Sequence, residues 1–168
     1  MKTLAFKLFF TIIIITLLVS CSTDDDGIYL KEENMQFKDV HLSYSEFELD
    51  ILNEINEYRE SKGLSTLEIL NIVSTEAISH TKYMIELDEI NHDNFSIRTN
   101  NLMKNASAKT VGENVAYGYS TAKGVLNGWL NSESHRKIIE NNSFTHFGIS
   151  VLKNNNDRYY YTNIFIKR

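Results

Sequence analysis

The chain of 168 residues has no proline at all, where average usage of about 5% would supply roughly eight. Turns must therefore rely on Gly, Asn and Asp, and no cis-prolyl bond slows folding. A single cysteine excludes an intramolecular disulfide and any zinc site built from two or four thiolates. Basic residues are also short. The 17 Lys and Arg against 22 Asp and Glu leave a formal charge of −5, with no broad basic face to neutralise phosphates. Nucleic acid is not an expected partner. The longest apolar run, Leu8 to Val19, is broken only by Thr11 and Thr16 and falls short of the roughly 20 residues that span a bilayer. The length is too small for a (β/α)₈ barrel of roughly 250 residues. Hydrophobic content of 42% and charged content of 23% fit an ordinary globular domain.

Lys2 and Lys7, then the apolar run, then a small residue before a cut form the pattern of a signal peptide over residues 1–20. Leu18-Val19-Ser20-Cys21 resembles a bacterial lipoprotein signal, in which the cysteine is lipidated and becomes the first mature residue. The resemblance implies a membrane anchor at Cys21, a stable one, because each buried CH₂ of several acyl chains contributes about 0.8 kcal/mol. The following Ser22-Thr23-Asp24-Asp25-Asp26 resembles the surface-export tag of some Gram-negative lipoproteins, and it reads equally as a solvated linker. The expected location is the outer membrane of a Gram-negative-type envelope, facing either the outside or the periplasm. Residues 21–45 read as the lipidated cysteine and an acidic tether with room for one short edge strand, and residues 46–168 as the folded domain.

Ser45 three residues before Glu48 forms a capping box ahead of Ile51, Leu52, Ile55 and Tyr58, one face of a helix that Gly63 would stop. Leu64, Leu67 and Leu70 read as a short bridge. Val73, Ala77, Met84 and Leu87 form a second helical stripe with His80 and Thr81 on or near it. Residues 91–109, rich in Asn, Ser and Lys, read as irregular. Ser120 or Thr121 caps a third helix bearing Val125, Leu126, Trp129 and Leu130, and Ser132 or Ser134 a fourth running through Ile138 and Ile139. Phe147, Ile149 and Val151 then alternate with smaller residues, Asn154 to Asp157 turn, and Tyr159 to Ile166 alternate again as a β-hairpin. Helices followed by strands point to an α+β domain.

Nucleophile motifs fail on context. Gly118-Tyr119-Ser120-Thr121-Ala122 nearly matches G-x-S-x-G, and Ser79-x-x-Lys82 and Ser120-x-x-Lys123 match S-x-x-K. The chain is too short for the folds that use them, and Ser120 reads as a helix cap. There is no H-E-x-x-H, P-loop or G-x-G-x-x-G. What remains is His80, His92, Glu113, Glu133, His135 and His146. Two imidazoles and one or two carboxylates facing one cleft could hold Zn²⁺ with an open position or act as an acid–base pair. Spacing alone does not show that they converge, and each histidine has a structural reading beside the functional one.

Gly112-Glu113-Asn114-Val115-Ala116, Trp129-x-x-Ser132-x-x-His135-Arg136 and Phe144-Thr145-His146-Phe147-Gly148-Ile149 follow one another in order. Upstream lie Tyr58-Arg59, Ala77-x-x-His80 and a turn at His92. This string resembles the CAP superfamily (cysteine-rich secretory proteins, antigen 5 and pathogenesis-related 1 proteins), also called the SCP domain, in its bacterial branch. The resemblance covers about residues 46–168. It implies a three-layer α-β-α sandwich with a small central antiparallel sheet and a cleft lined by two His and two Glu. Three of that tetrad fall on His92, Glu113 and His135. The second Glu would fall three after the tryptophan, where this chain has Ser132. Glu133, one residue on, is rotated about 100° around a helix. The carried-over site is therefore His92, Glu113 and His135, holding Zn²⁺ or another divalent cation, with Glu133 as a further cleft residue. No catalytic role is assigned, and the same three are its candidates. His80 would orient a ligand from behind, Trp129 would sit in the core, and Asn114 and Arg136 would bond backbone around Glu113 and the hairpin. The expected function is an anchored extracytoplasmic lipoprotein whose cleft binds a divalent metal or small ligand, with an unknown envelope partner. The alternatives are a metal-assisted or acid–base hydrolase of peptide, ester or glycan, and a non-catalytic interaction protein whose tetrad is structural.

Overall fold

The computed structural model describes residues 42–168, so the signal peptide, Cys21 and most of the tether lie outside the described residues. Helix α1 (Glu46–Ser61) opens on the capping box: Glu48 N donates to Ser45 Oγ at 3.2 Å and Ser45 N to Glu48 Oε2 at 2.9 Å. The chain leaves it through Gly63, whose φ of 72° suits a residue without a Cβ. A two-residue strand β1 (Glu68–Ile69) occupies the leucine bridge, and α2 (Asn71–Leu87) follows. Its buried stripe is Val73, Ala77, His80, Thr81 and Met84. Leu87, expected on that stripe, is instead exposed, because the helix ends at Asp88 in the left-handed conformation.

The segment expected to be irregular contains a 12-residue helix, α3 (Phe95–Ala106). Its inward face is Arg98, Leu102 and Ala106, spaced i, i+4, i+8. The first position of that stripe is a charged side chain, so no apolar periodicity marks the helix. Strand β2 (Thr110–Tyr117) leads to α4 (Ala122–Asn131), capped by Thr121 rather than Ser120, with Gly124 N donating to Thr121 Oγ1 at 3.1 Å. Then come α5 (Glu133–Ile139), and β3 (His146–Lys153) and β4 (Tyr159–Lys167) of the expected hairpin.

The strands form one sheet in the order β1-β3-β4-β2, antiparallel except for the short parallel pairing of β1 on β3. Alternation along the strands sends side chains into two cores. Phe147, Ile149, Tyr161 and Phe165 face α1, α4 and α5, together with Ile51, Leu52, Ile55 and Trp129. Ile164 and Ile166 face Val73, Ala77, Leu102 and Ala106 of α2 and α3. The result is the expected three-layer α-β-α arrangement. Gly148 is where α2 touches the sheet: a Cβ there would lie 2.6 Å from the Val73 carbonyl carbon and closer still to the Ser74 backbone nitrogen. Gly148→Ala must push helix from strand, and we expect it to cost about 1–3 kcal/mol, the range of overpacked cores, as a lowered urea midpoint.

Candidate functional site

Glu113 projects from β2 toward the α2–α3 layer and is only 4% exposed. The Arg98 guanidinium meets it fork to fork, Nε to Oε2 at 2.8 Å and Nη2 to Oε1 at 2.7 Å. Nη1 of the same guanidinium donates to the Asp93 carbonyl at 2.6 Å, tying the turn before α3 to the ion pair. His92, on that turn, approaches Glu113 Oε1 with Nδ1 at 2.8 Å. Since the carboxylate accepts, Nδ1 is the donor of this bond, which selects the tautomer whose acceptor is Nε2. His80 lies behind, fully buried, with Nε2 on the Asn91 carbonyl at 2.9 Å and 3.8 Å from Glu113 Oε1. It thus supports the His92 turn. Burial alone would push the Glu113 carboxyl up, but hydrogen bonds from His92 and Arg98 and the Arg98 charge hold it below its ordinary range. Burial pushes His80 down, so that ring is neutral.

Beside this group opens a cleft of about 450 Å³ along the outer edge of β2. Thr110 to Glu113 form its floor, His92 and Phe95 one wall, and Lys137, Ile138, Asn141 and Phe144 the other. Gly112 lets that second wall come close: a Cβ would lie 3.0 Å from Phe144 Cζ and 3.1 Å from Ile138 Cγ2. The size is that of a small-molecule site, and the lining is mainly apolar with a few polar groups.

The other expected residues fare differently. His135 is half-buried and does not line this cleft, although burial first, and the nearby His92 second, push its pKa down. Its carbonyl accepts from Asn114 Nδ2 at 3.2 Å. Glu133 is not a cleft residue: as the first residue of α5 its side chain runs along the solvent face, 71% exposed, to Lys137 Nζ at 2.6 Å. Trp129 is core, as expected, with Nε1 donating to Val115 O at 3.0 Å. Arg136 bonds the Leu130 carbonyl, within the α4–α5 corner rather than near Glu113 or the hairpin. His146 stands at the start of β3 with Thr145 and Glu68, away from Glu113. Sequence reasoning missed Arg98. Its only signal is the i, i+4, i+8 spacing with Leu102 and Ala106 in an Asn-rich segment.

A divalent cation held by His92, His135 and Glu113 does not fit this arrangement. Both Glu113 oxygens are taken by the Arg98 fork, so ligation would place a dication against a buried guanidinium. Among the described residues, no three His, Cys, Asp or Glu gather as a metal-holding group.

The family model of CAP, the cysteine-rich secretory protein family, matches residues 52–165. The chain belongs to the CAP family. It is 36% identical over 124 residues to the membrane protein YlbC of Bacillus subtilis, covering 72% of this chain but only 34% of YlbC. Among solved structures it resembles an extracellular protein with an SCP domain from Bacillus anthracis, at 30% identity and a TM-score of 0.63, over 71% of this chain and 40% of that one. An outer surface protein of Borrelia burgdorferi matches at 26% identity and a TM-score of 0.66, over 76% of this chain and 98% of that one. The chain thus spans about a third of YlbC and two fifths of the Bacillus anthracis protein.

Proposed function

We propose that this CAP domain is a ligand-binding module on the extracytoplasmic side of the membrane, anchored through a lipid on Cys21, and that its cleft works without a resident metal. The carrying observation is the apolar-walled cleft over a floor whose one carboxylate, Glu113, is already neutralised by Arg98. Such a floor does not call a cation. It presents His92 Nε2 as an acceptor, and Lys137 and Asn141 as polar contacts, between the apolar faces of Phe95, Val111, Ile138 and Phe144. In this reading the Glu113–Arg98–His92 group is a frame that holds the cleft's shape. The extracellular and outer-surface relatives support the location.

The test is a fluorescence titration of the full chain with anilinonaphthalene sulfonate, an apolar anion, with and without a chelator. Saturable one-site binding is expected, unchanged by chelation and weakened about tenfold, or about 1.4 kcal/mol, by Ile138→Glu in the wall. Binding that needs added Zn²⁺, and is lost in His92→Ala and His135→Ala, would overturn the metal-free reading. The Glu113–His92 contact favours a second reading, in which His92 Nε2 acts as a general base on water. Turnover of a peptide or ester substrate, lost in His92→Ala, would establish it.

A further inference from the structure

We infer that the ligand of this cleft is an extended peptide, added as a strand to the free edge of β2; this rests on the reading of the cleft as a binding site and names its ligand class. In the sheet, β2 pairs only with β4. Gly118 N donates to Tyr159 O at 2.8 Å, which sets the ladder's phase: the hydrogen-bonded pairs are Ala116–Tyr161, Asn114–Asn163, Gly112–Phe165 and Thr110–Lys167. The residues between them, Val111, Glu113 and Val115, turn their N–H and C=O away from β4. Two observations agree with that phase. Asn154 N donates to Arg158 O, so the even-numbered residues of β4 serve β3 and the odd-numbered ones serve β2. On the outer edge of β2, Val115 O accepts from Trp129 Nε1.

Trp129 thus covers the edge at Val115. At Val111 and Glu113 no backbone or side-chain partner meets those groups among the described residues. These two positions lie on the floor of the cleft, and Glu113 is 4% exposed. These edge groups face the cleft without a protein partner, so the ladder is open to a further strand at this point. Its unpaired groups come as two N–H/C=O sets two residues apart, about 6.6–6.8 Å, which is the repeat of an extended peptide. A lipid tail would fill the apolar walls and leave all four groups unpaired. An added strand would send alternate side chains to the two walls, one set toward Phe95 and His92, the other toward Ile138 and Phe144. Both walls are largely apolar, so the preferred peptide carries apolar residues toward each.

The test screens the full chain against a library of acetylated hexapeptide amides and then scans the best binder with N-methyl groups. Methylation of every second amide, those facing β2, is expected to weaken binding about tenfold or more, and methylation of the intervening amides to leave it within about twofold. Val111→Pro removes one outward N–H without removing a bond to β4 and should weaken the same peptide about tenfold. The Val111 side chain also packs against the α2–α3 core, so the methyl scan, which leaves the protein untouched, decides if that variant unfolds. Peptide binding indifferent to the methyl register would overturn strand addition and leave the cleft reading standing. So would saturable anilinonaphthalene sulfonate or myristate binding with no peptide bound at all. Absence of binding by every probe to the folded chain would overturn both.

Discussion

Arg98→Met is expected to cost about 3–5 kcal/mol at neutral pH, because it leaves the Glu113 carboxylate buried without its cation. The pH dependence of that loss separates it from ordinary packing damage. In the native chain Glu113 titrates below its ordinary value of 4.5, so its contribution is present above that value and is lost as pH falls through the lower, folded one. Without Arg98, burial, the largest influence, is opposed only by the His92 hydrogen bond and by His80, and the folded pKa is expected to rise above the unfolded one. The sign then reverses: the variant carries its penalty at neutral pH and sheds it as pH falls through the folded value toward the unfolded one. Urea denaturation of both chains between neutral pH and pH 4.5 should therefore show the gap narrowing as the solution is acidified. Part of the gap persists, because Arg98 also holds the Asp93 carbonyl. Glu113→Gln removes the titrating group, and on that background the loss from Arg98→Met should be smaller and flat with pH. A full-sized gap that does not change with pH would show that the charge of Glu113 is not what Arg98 holds.

How much of this site could be read from the sequence depends on how each residue is held. His92 and Glu113 stand in motifs with a fixed order, and the structure joins them directly. Arg98 stands in no motif and completes the charge balance from a helix whose polar surface hides it. The same physics hid α3 as a whole, since its inward stripe begins with a buried ion. Strand β2 was obscured for a related reason. Gly112, Glu113 and Asn114 place a glycine, a carboxylate and an amide at buried positions, so no apolar pattern marks the segment, whereas β4 is buried just as continuously but carries Tyr, Ile and Phe. Glu133 shows the opposite error. It matches a family residue displaced by one position, but one step around a helix start turned the side chain from cleft to solvent. The capping box, the Thr121 cap and the closing hairpin were legible because their signals are local.

Arg59→Leu is expected to destabilise the domain by about 3 kcal/mol or more, and to disturb the cleft before it unfolds the rest. Arg59 is wholly buried and, among the described residues, has no carboxylate partner. It donates instead to the carbonyls of Ser65 at 2.9 Å, Ile139 at 2.5 Å and Asn141 at 3.0 Å. Burial pushes its pKa down, and what steadies the charge is the carbonyl end of α5, the negative pole of that helix. Leucine relieves the cost of burying an ion, and at the same time strands three carbonyls at about 1–3 kcal/mol each, so the loss prevails. Lysine would keep the charge, but one compact ammonium cannot span three diverging acceptors, so Arg59→Lys should recover only part of the stability. The carbonyls at stake flank Ile138 and Asn141, which form a wall of the cleft. Amide hydrogen exchange in Arg59→Leu should therefore quicken first at the end of α5 and in residues 140–144, while the β3–β4 ladder stays protected until global unfolding. Anilinonaphthalene sulfonate binding should weaken in the same conditions. Uniform acceleration across the sheet and α5 alike would mean that Arg59 supports the whole core rather than the wall of the cleft.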